Sequence, residues 1–302
     1  MAAALTRGWE VEETDPRHSF YTLKHSDGNR QWHIRNITSV KTSALSTIIA
    51  DRKDLFFELC EPLDFPLPPT VLLEKSMSLD EDFLNAHGTV VVKPTNQAHG
   101  KGVSVGITSQ THLDTAVQFA RSFSSRVMIQ KHITGNDYRL LFVDNKLAAA
   151  AIRRPAFVIG DGERTIRELI EVENASQNRS KGYQATLTEI DTDAAERFLG
   201  KVMSSVPAYG EEVQAVGTAN IGRGGVAIDV TDTIDPEIVA IGQGLVDHFG
   251  MGLCGVDIII DEEGRPYVIE INTGPSLGLH EFPFEGKARD TPNAYLDWLA
   301  KP

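Results

Sequence analysis

The sequence predicts an α+β fold of two lobes, and three observations predict it. At 302 residues the chain is longer than one hydrophobic core usually supports, so two or three packed lobes are expected. Strand-like runs come in pairs about turn residues, with helical segments standing apart, which fits α+β lobes better than a regular βαβ array. The prolines at 62, 66, 68 and 69 make a stiff extended linker and set the first boundary near Pro66–Val71.

The elements follow in order. Short runs from Phe20 to Arg35 flank Asp27-Gly28 as a β-hairpin. Ser43 to Leu59 has helical spacing, with Leu45, Ile48, Ile49, Leu55, Phe56 and Leu59 on or near one face. Strands are expected at Thr89–Lys93 and Val103–Ile107, then a helix capped by Thr111 and reaching about Phe123, then the strand VMIQKHI. DYRLLFVDNKLAAAAIRR reads as two strands about Asp144-Asn145. Thr165 with Glu168 is a capping box. Residues 175–214 are polar and weakly periodic, with a short helix at 192–203. Asp235 as N-cap, Pro236 at the first helical position and Gly250 as C-cap bound a clear helix. Strands Gly255–Ile260 and Tyr267–Asn272 close the pattern.

Composition narrows the function. The 41% hydrophobic and 24% charged content is that of a globular protein. A formal charge of −13 argues against a nucleic-acid partner, which needs excess Lys and Arg, so an anionic ligand would require a local basic cluster. Cys60 and Cys254 are the only cysteines, too few and too separate for a zinc site or disulfide framework, and a reducing cytoplasm is the expectation. Cys254, in LCGVDIII, reads as core packing. No apolar leader opens the chain, and no run approaches the ~20 apolar residues of a membrane span. A soluble protein without a membrane partner is expected; a homo-oligomer stays open.

The strongest chemical signal is the last hairpin. A turn centred on Glu263-Gly264 sets Asp257 opposite Glu270, with Asn272 on the same face. Opposed carboxylates repel unless a cation lies between them, and a hard, oxygen-seeking ion such as Mg²⁺ suits that place. Lys93 ends an apolar strand before Pro94, and Gly100, Lys101 and Gly102 follow in a loop whose backbone N–H groups could fold over phosphates. This is neither a Walker loop nor a Rossmann fingerprint, since the spacings fail. In QKHITGNDYR, Gln130 and Lys131 stand where an adenine edge or phosphate could be met, and Asp137 could accept from ribose hydroxyls. ANIGRGG places Asn220 and Arg223 in a polar turn that could face an anion. There is no Ser-His-Asp or Cys-His arrangement.

The order VVVKP, GKGV, IQKHITGNDYR, GVDIII and VIEIN resembles the ATP-grasp superfamily of carboxylate–amine ligases. Within it the chain looks most like the ligase domains of the cyanophycin-synthetase and bifunctional-glutathione-synthetase kind. RRPAFVIGDGERTIRELIEVEN, NIGRGGVAIDVTDTIDPE and HEFPFEGKARDTPNAYLDWL are similar to segments of those enzymes, and only residues 180–214 fall outside the likeness. The resemblance implies an ATP-grasp fold: a reduced N-terminal portion over 1–68, a small lobe over 69–135 and a large lobe over 136–302. It implies ATP as cofactor with two Mg²⁺ ions, or Mn²⁺ in their place. Lys93, Lys131 and Asp137 would contact ATP, and Asp257, Glu270 and Asn272 would ligate metal. Arg139, Arg154, Asn220 and Arg223 would serve catalysis, with Ser276, His280 and Arg289 lining the substrate side. The expected reaction joins a small-molecule carboxylate, an amino acid or short peptide, to an amine through an acylphosphate, releasing ADP. A kinase, or a nucleotide-binding module without turnover, are the rivals. Two departures stand out: Gln130 where an acid is usual, and Val216 where an Arg is common.

Overall fold

The computed structural model describes residues 1–74, 82–97, 100–177, 179–180 and 187–301. Part of the glycine-rich loop (Ala98 and His99) and part of the hard-to-read middle (residues 178 and 181–186) lie outside the described residues.

The chain opens with α1 (Ala2–Thr6) and an antiparallel sheet of β1 (Glu10–Asp15), β2 (Phe20–Lys24), β3 (Gln31–Arg35) and β4 (Thr38–Ser39). The hairpin about Asp27-Gly28 is present, with Lys24 opposite Gln31. The single helix expected over Ser43–Leu59 is instead two, α2 (Ala44–Asp51) and α3 (Lys53–Cys60). Arg52 breaks them at φ −113°, ψ 89°. The break turns the apolar face, so Ile49, Phe56, Phe57 and Cys60 are buried while Leu45 and Ile48 face solvent.

A second sheet contains β5 (Thr70–Leu73), β6 (Val90–Pro94), β7 (Ser104–Ile107) and β8 (Val127–Lys131) in the order β5-β8-β6-β7, with α4 (Asp82–His87) and α5 (Gln110–Arg121). Ser109, not Thr111, caps α5 by accepting from the His112 N–H. Strand alternation divides this sheet. Val90, Val92, Val127 and Ile129 pack with Leu113, Ala116 and Ala120 of α5. Lys93, paired with Met128, takes the other face, and Met128 joins the main core.

The third sheet runs β15-β10-β9-β16-β17, antiparallel throughout. Its strands are β9 (Gly135–Val143), β10 (Lys146–Arg154), β15 (Val226–Asp229), β16 (Leu253–Asp261) and β17 (Pro266–Asn272). The β9–β10 turn is at Asp144-Asn145, both at φ 56°, a left-handed pair that short polar residues tolerate. One face buries Leu140, Phe142, Val256 and Ile258 against α3 and the helix α8 (Pro236–Phe249). On the opposite face, Leu141, Val143, Ala149 and Leu253 pack with Trp9, Leu23 and Trp32 of the first sheet and with the C-terminal helix α10 (Thr291–Ala300). The N-terminal portion therefore shares a core with the large sheet.

Between β10 and β15 lie β11 (Phe157–Ile159), α6 (Ile166–Asn174), β12 (Arg179–Ser180), β13 (Leu187–Thr188), α7 (Thr192–Leu199) and β14 (Glu212–Gln214). The Thr165–Glu168 capping box opens α6. The helix expected at 192–203 stops at Leu199 and continues as a 3₁₀ turn. Asp235, Pro236 and Gly250 bound α8 as expected. A short helix α9 (Gly278–Glu281) follows β17. The proline linker is tied down: the Pro66 carbonyl accepts from Val268 N–H at 2.7 Å and the Pro69 carbonyl from Lys131 N–H at 2.9 Å. No helix among the described residues is long and apolar enough to cross a membrane.

Candidate active site

Cross-strand register builds the site. One row runs across the whole large sheet: Asp229 on β15, Ala151 on β10, Arg139 on β9, Asp257 on β16 and Glu270 on β17. Asp257 does lie opposite Glu270, by a less direct route than a symmetric turn. The β16–β17 ladder pairs Ile258 with Val268, and an irregularity at Ile269 restores Asp257 to Glu270. The bulge lets both Val268 and Ile271 face the core and turns Glu270 and Asn272 to the face of Asp257.

Asp257, 3% exposed, is gripped by two arginines. Arg139 donates to both its oxygens, and Arg153 reaches Oδ2 at 2.9 Å. Arg153 also donates to Asp137 at 2.6 Å. Burial raises the Asp137 carboxyl against the opposing pull of Arg153. Gly255 makes room for this network: a Cβ there would meet Pro275 Cβ at 2.9 Å and Arg139 Cδ at 3.2 Å.

Glu270 has other partners. Lys53 Nζ lies 2.9 Å from Oε2, and Asn272 Nδ2 donates to Oε1 at 3.3 Å. Burial would raise this carboxyl, but Lys53, Lys93 and Arg139 overcome that and hold it well below the usual range. Lys93 is buried beside the Phe57 ring, its Nζ 5.7 Å from the centroid. Burial, with Lys53 nearby, pushes Lys93 down to about 7 despite Glu270 and Asp257. Four cations thus meet the carboxylates of Asp137, Asp257 and Glu270, the local basic cluster that a chain of charge −13 needs for an anion.

The other expected residues are dispersed. Gln130 is buried and donates to Thr70 Oγ1 at 2.8 Å. Lys131 pairs with Val90 and so shares the face opposite Lys93. Gly100 and Gly102 have φ of 72° and 75°, and Lys101 Nζ stands 5.2 Å from the Phe123 ring. Arg154 does not join the central row: it pairs with Glu212 and lies over Phe157. Asn220 caps its own turn by accepting from Gly222 N–H, and Arg223 is 3.8 Å from Asp191. Arg289 is held by Asp229 and Asp232, and Ser276 is half-buried after β17. Two residues that the sequence reading passed over, Lys53 and Arg153, sit at the centre. Arg153 was adjacent to a chosen residue, and Lys53 stood in the Ser43–Leu59 run, read for its apolar helical face.

His280, 2% exposed, lies on α9 with neither ring nitrogen hydrogen-bonded among the described residues. Burial, assisted by Arg139, pushes it down to about 3 from 6.5. Between those values the unfolded chain binds a proton that the folded one does not. His280 therefore favours folding fully above pH 6.5 and progressively less as pH falls, by up to about 1.4 kcal/mol per unit. His280→Met should flatten the urea-unfolding stability profile between about pH 6.5 and 5, above the carboxylate range.

Two antiparallel sheets thus meet with a lysine on one and opposed carboxylates on the other. The chain belongs to the ATP-grasp family, whose domain model matches residues 50–276. It is 33% identical to cyanophycin synthetase from Trichormus variabilis, covering 86% of this chain and 30% of that protein. It is 30% identical to the glutathione biosynthesis bifunctional protein of Clostridium perfringens, covering 98% of this chain and 40% of that one. The chain thus spans well under half the length of these relatives. Among solved structures, a bifunctional glutathione synthetase from Pasteurella multocida superposes with TM-score 0.67 at 25% identity, covering 98% of this chain and 42% of that one. D-alanine–D-alanine ligase from Bacillus anthracis shares the fold at TM-score 0.54 and 17% identity, covering 85% and 68%.

Proposed function

We propose that the chain is an ADP-forming carboxylate–amine ligase that joins an amino acid or short peptide to an amine through an acylphosphate, in the cytoplasm. The observation that carries this reading is the placement of Asp257, Glu270 and Asn272 on one face, ringed by Lys53, Lys93, Arg139 and Arg153. The relatives' names, cyanophycin and glutathione synthesis, support an amino-acid or peptide substrate.

The donor set suits a hard divalent ion: the Glu270 carboxylate and the Asn272 amide oxygen, with Asp257 opposite as a donor that Arg139 or Arg153 would have to yield in part. Among the described residues no group of three His, Cys, Asp or Glu side chains is placed to hold a metal ion, so Asn272 would complete the set. Such ions, Mg²⁺ or Mn²⁺, would supply charge neutralisation at the β- and γ-phosphoryl oxygens of ATP. The lobes 69–135 and 136–302 would hold the nucleotide between them, with Lys93 reaching its phosphates from β6. Anionic oxygens beside Lys93 favour its charged form and so reverse the effect of burial. Arg139 and Arg153, fixed by Asp257 and Asp137, are preorganised to hold the substrate carboxylate in line, so that positioning and electrostatics do most of the work.

Because Arg153 and not Arg154 reaches the row, Arg153→Met should lower kcat/KM by about 10–100-fold, the worth of charged hydrogen bonds. Arg154→Met should change it far less; the reverse order would misplace the acceptor side. The reading as a whole is tested by an ADP-release screen over pairs of amino acids and short peptides, with mass detection of the condensed product. Amine-dependent ADP release with a dehydrated product supports it. Amine-independent release would mean a kinase, and no release with any pair a module without turnover.

A further inference from the structure

Both oxygens of Glu270 are already engaged. Oε1 accepts from Asn272, and Oε2 faces the Lys53 ammonium at 2.9 Å, with the two charged side chains 27% and 14% exposed. Lys53 is held in that position from both lobes. It is the first residue of α3, on the large-sheet core, and its N–H donates at 2.9 Å to the carbonyl of Thr95, just past β6. Of the nearby cations, Arg52 and Arg126 both bind the buried Asp54, at 2.7 and 3.0 Å, and Lys93 acts on Glu270 at longer range, so Lys53 is the cation paired directly with it. A divalent ion that reaches Glu270 must therefore displace an ammonium and turn the Asn272 amide.

We propose that Lys53 is the internal counter-ion of Glu270, a positioning residue that occupies the carboxylate in the nucleotide-free protein so that a divalent ion is taken up together with a polyphosphate and not ahead of it. This rests on Glu270 and Asn272 being metal ligands. A displaced ammonium needs a new anion within reach, and phosphoryl oxygens arriving with the ion supply one. Ion and nucleotide each raise the other's affinity by the same factor, as linkage requires. Bare ions bind weakly because they must strip Lys53 from Glu270 with nothing to offer it.

The test is Mn²⁺ binding to the full chain, followed by electron paramagnetic resonance of the free ion, with and without a non-hydrolysable ATP analogue. The parent, Lys53→Met, Lys53→Arg and Glu270→Gln are compared, each checked for folding by circular dichroism. Lys53→Met should bind Mn²⁺ alone at least about fivefold more tightly than the parent, and its enhancement by nucleotide should shrink correspondingly. Lys53→Arg, which keeps the charge, should behave like the parent. If Lys53→Met fails to fold, Lys53→Gln carries the same comparison. Unchanged or weaker binding of bare Mn²⁺ on loss of the Lys53 charge overturns the counter-ion role. If Glu270→Gln also binds the Mn²⁺–nucleotide pair as tightly as the parent, the metal reading itself fails.

Discussion

Glu270→Gln should abolish ADP release, a loss on the order of 10²–10³-fold or more, in a chain that still folds. The substitution is isosteric and removes one charge. Asp257 cannot substitute for it, because Arg139 and Arg153 already claim its oxygens. What remains on β17 is an amide beside Lys53 and Lys93, which repels a cation instead of attracting one. The structural cost is smaller. Glu270 and Lys53 are partly open to water, so the cost falls below the ~3–5 kcal/mol of breaking a fully buried pair. Because Glu270 is held below its ordinary 4.5, its contribution to folding is present above that pH and is lost as pH falls. The variant should therefore show a flatter acid limb in urea unfolding. Near-normal turnover in a coupled ADP assay would refute the metal role of this hairpin.

Asp257→Ala should instead damage the fold first. Asp257 is the only carboxylate described between Arg139 and Arg153, and all three are buried or nearly so. Its removal leaves two guanidiniums in low dielectric with Asp137 in contact with Arg153 only, and Glu270 acting at longer range. Loss of one partner from a buried ionic group costs about 3–5 kcal/mol, which for a chain of this size lowers Tm by roughly 5–8 °C. Asp257→Asn keeps the shape and one acceptor, so its effect should be intermediate. A Tm within about 2 °C of the parent for the alanine variant would mean that the arginines find other partners or leave the site.

Much of the site was legible in residue types. Lys93 before Pro94 and the acids in GVDIII and VIEIN are polar groups in strands otherwise apolar enough to be buried, and such groups are held there by partners. The fold was legible for a similar reason: caps such as Thr165–Glu168 and Asp235–Gly250, and turns such as Asp144-Asn145, are local chemistry. The Ser43–Leu59 helix was misread because its 3.6-residue spacing survives on paper across Arg52, where the backbone does not stay helical. Lys53 escaped notice because its partner, Glu270, is remote in sequence and meets it only through packing.

By itself, the sequence determined most of the strand pairs and capped helices, which follow from local propensity, while the order of its motifs carried the family resemblance and supplied the acids and bases from which a site could be made. Which of them converge was decided by tertiary structure, at two irregularities in the ladders. An unbroken β9–β10 hairpin would send Arg154 to the face of Asp137; the slip between Leu147 and Ala149 sends Arg153 instead. The bulge at Ile269 brings Glu270 to Asp257. A side chain's face in a sheet depends on residue parity, so one extra residue reverses it. That residue is set by the packing of Ala149, Val268 and Ile271 on opposite sides of the sheet, not by any signal within the strands.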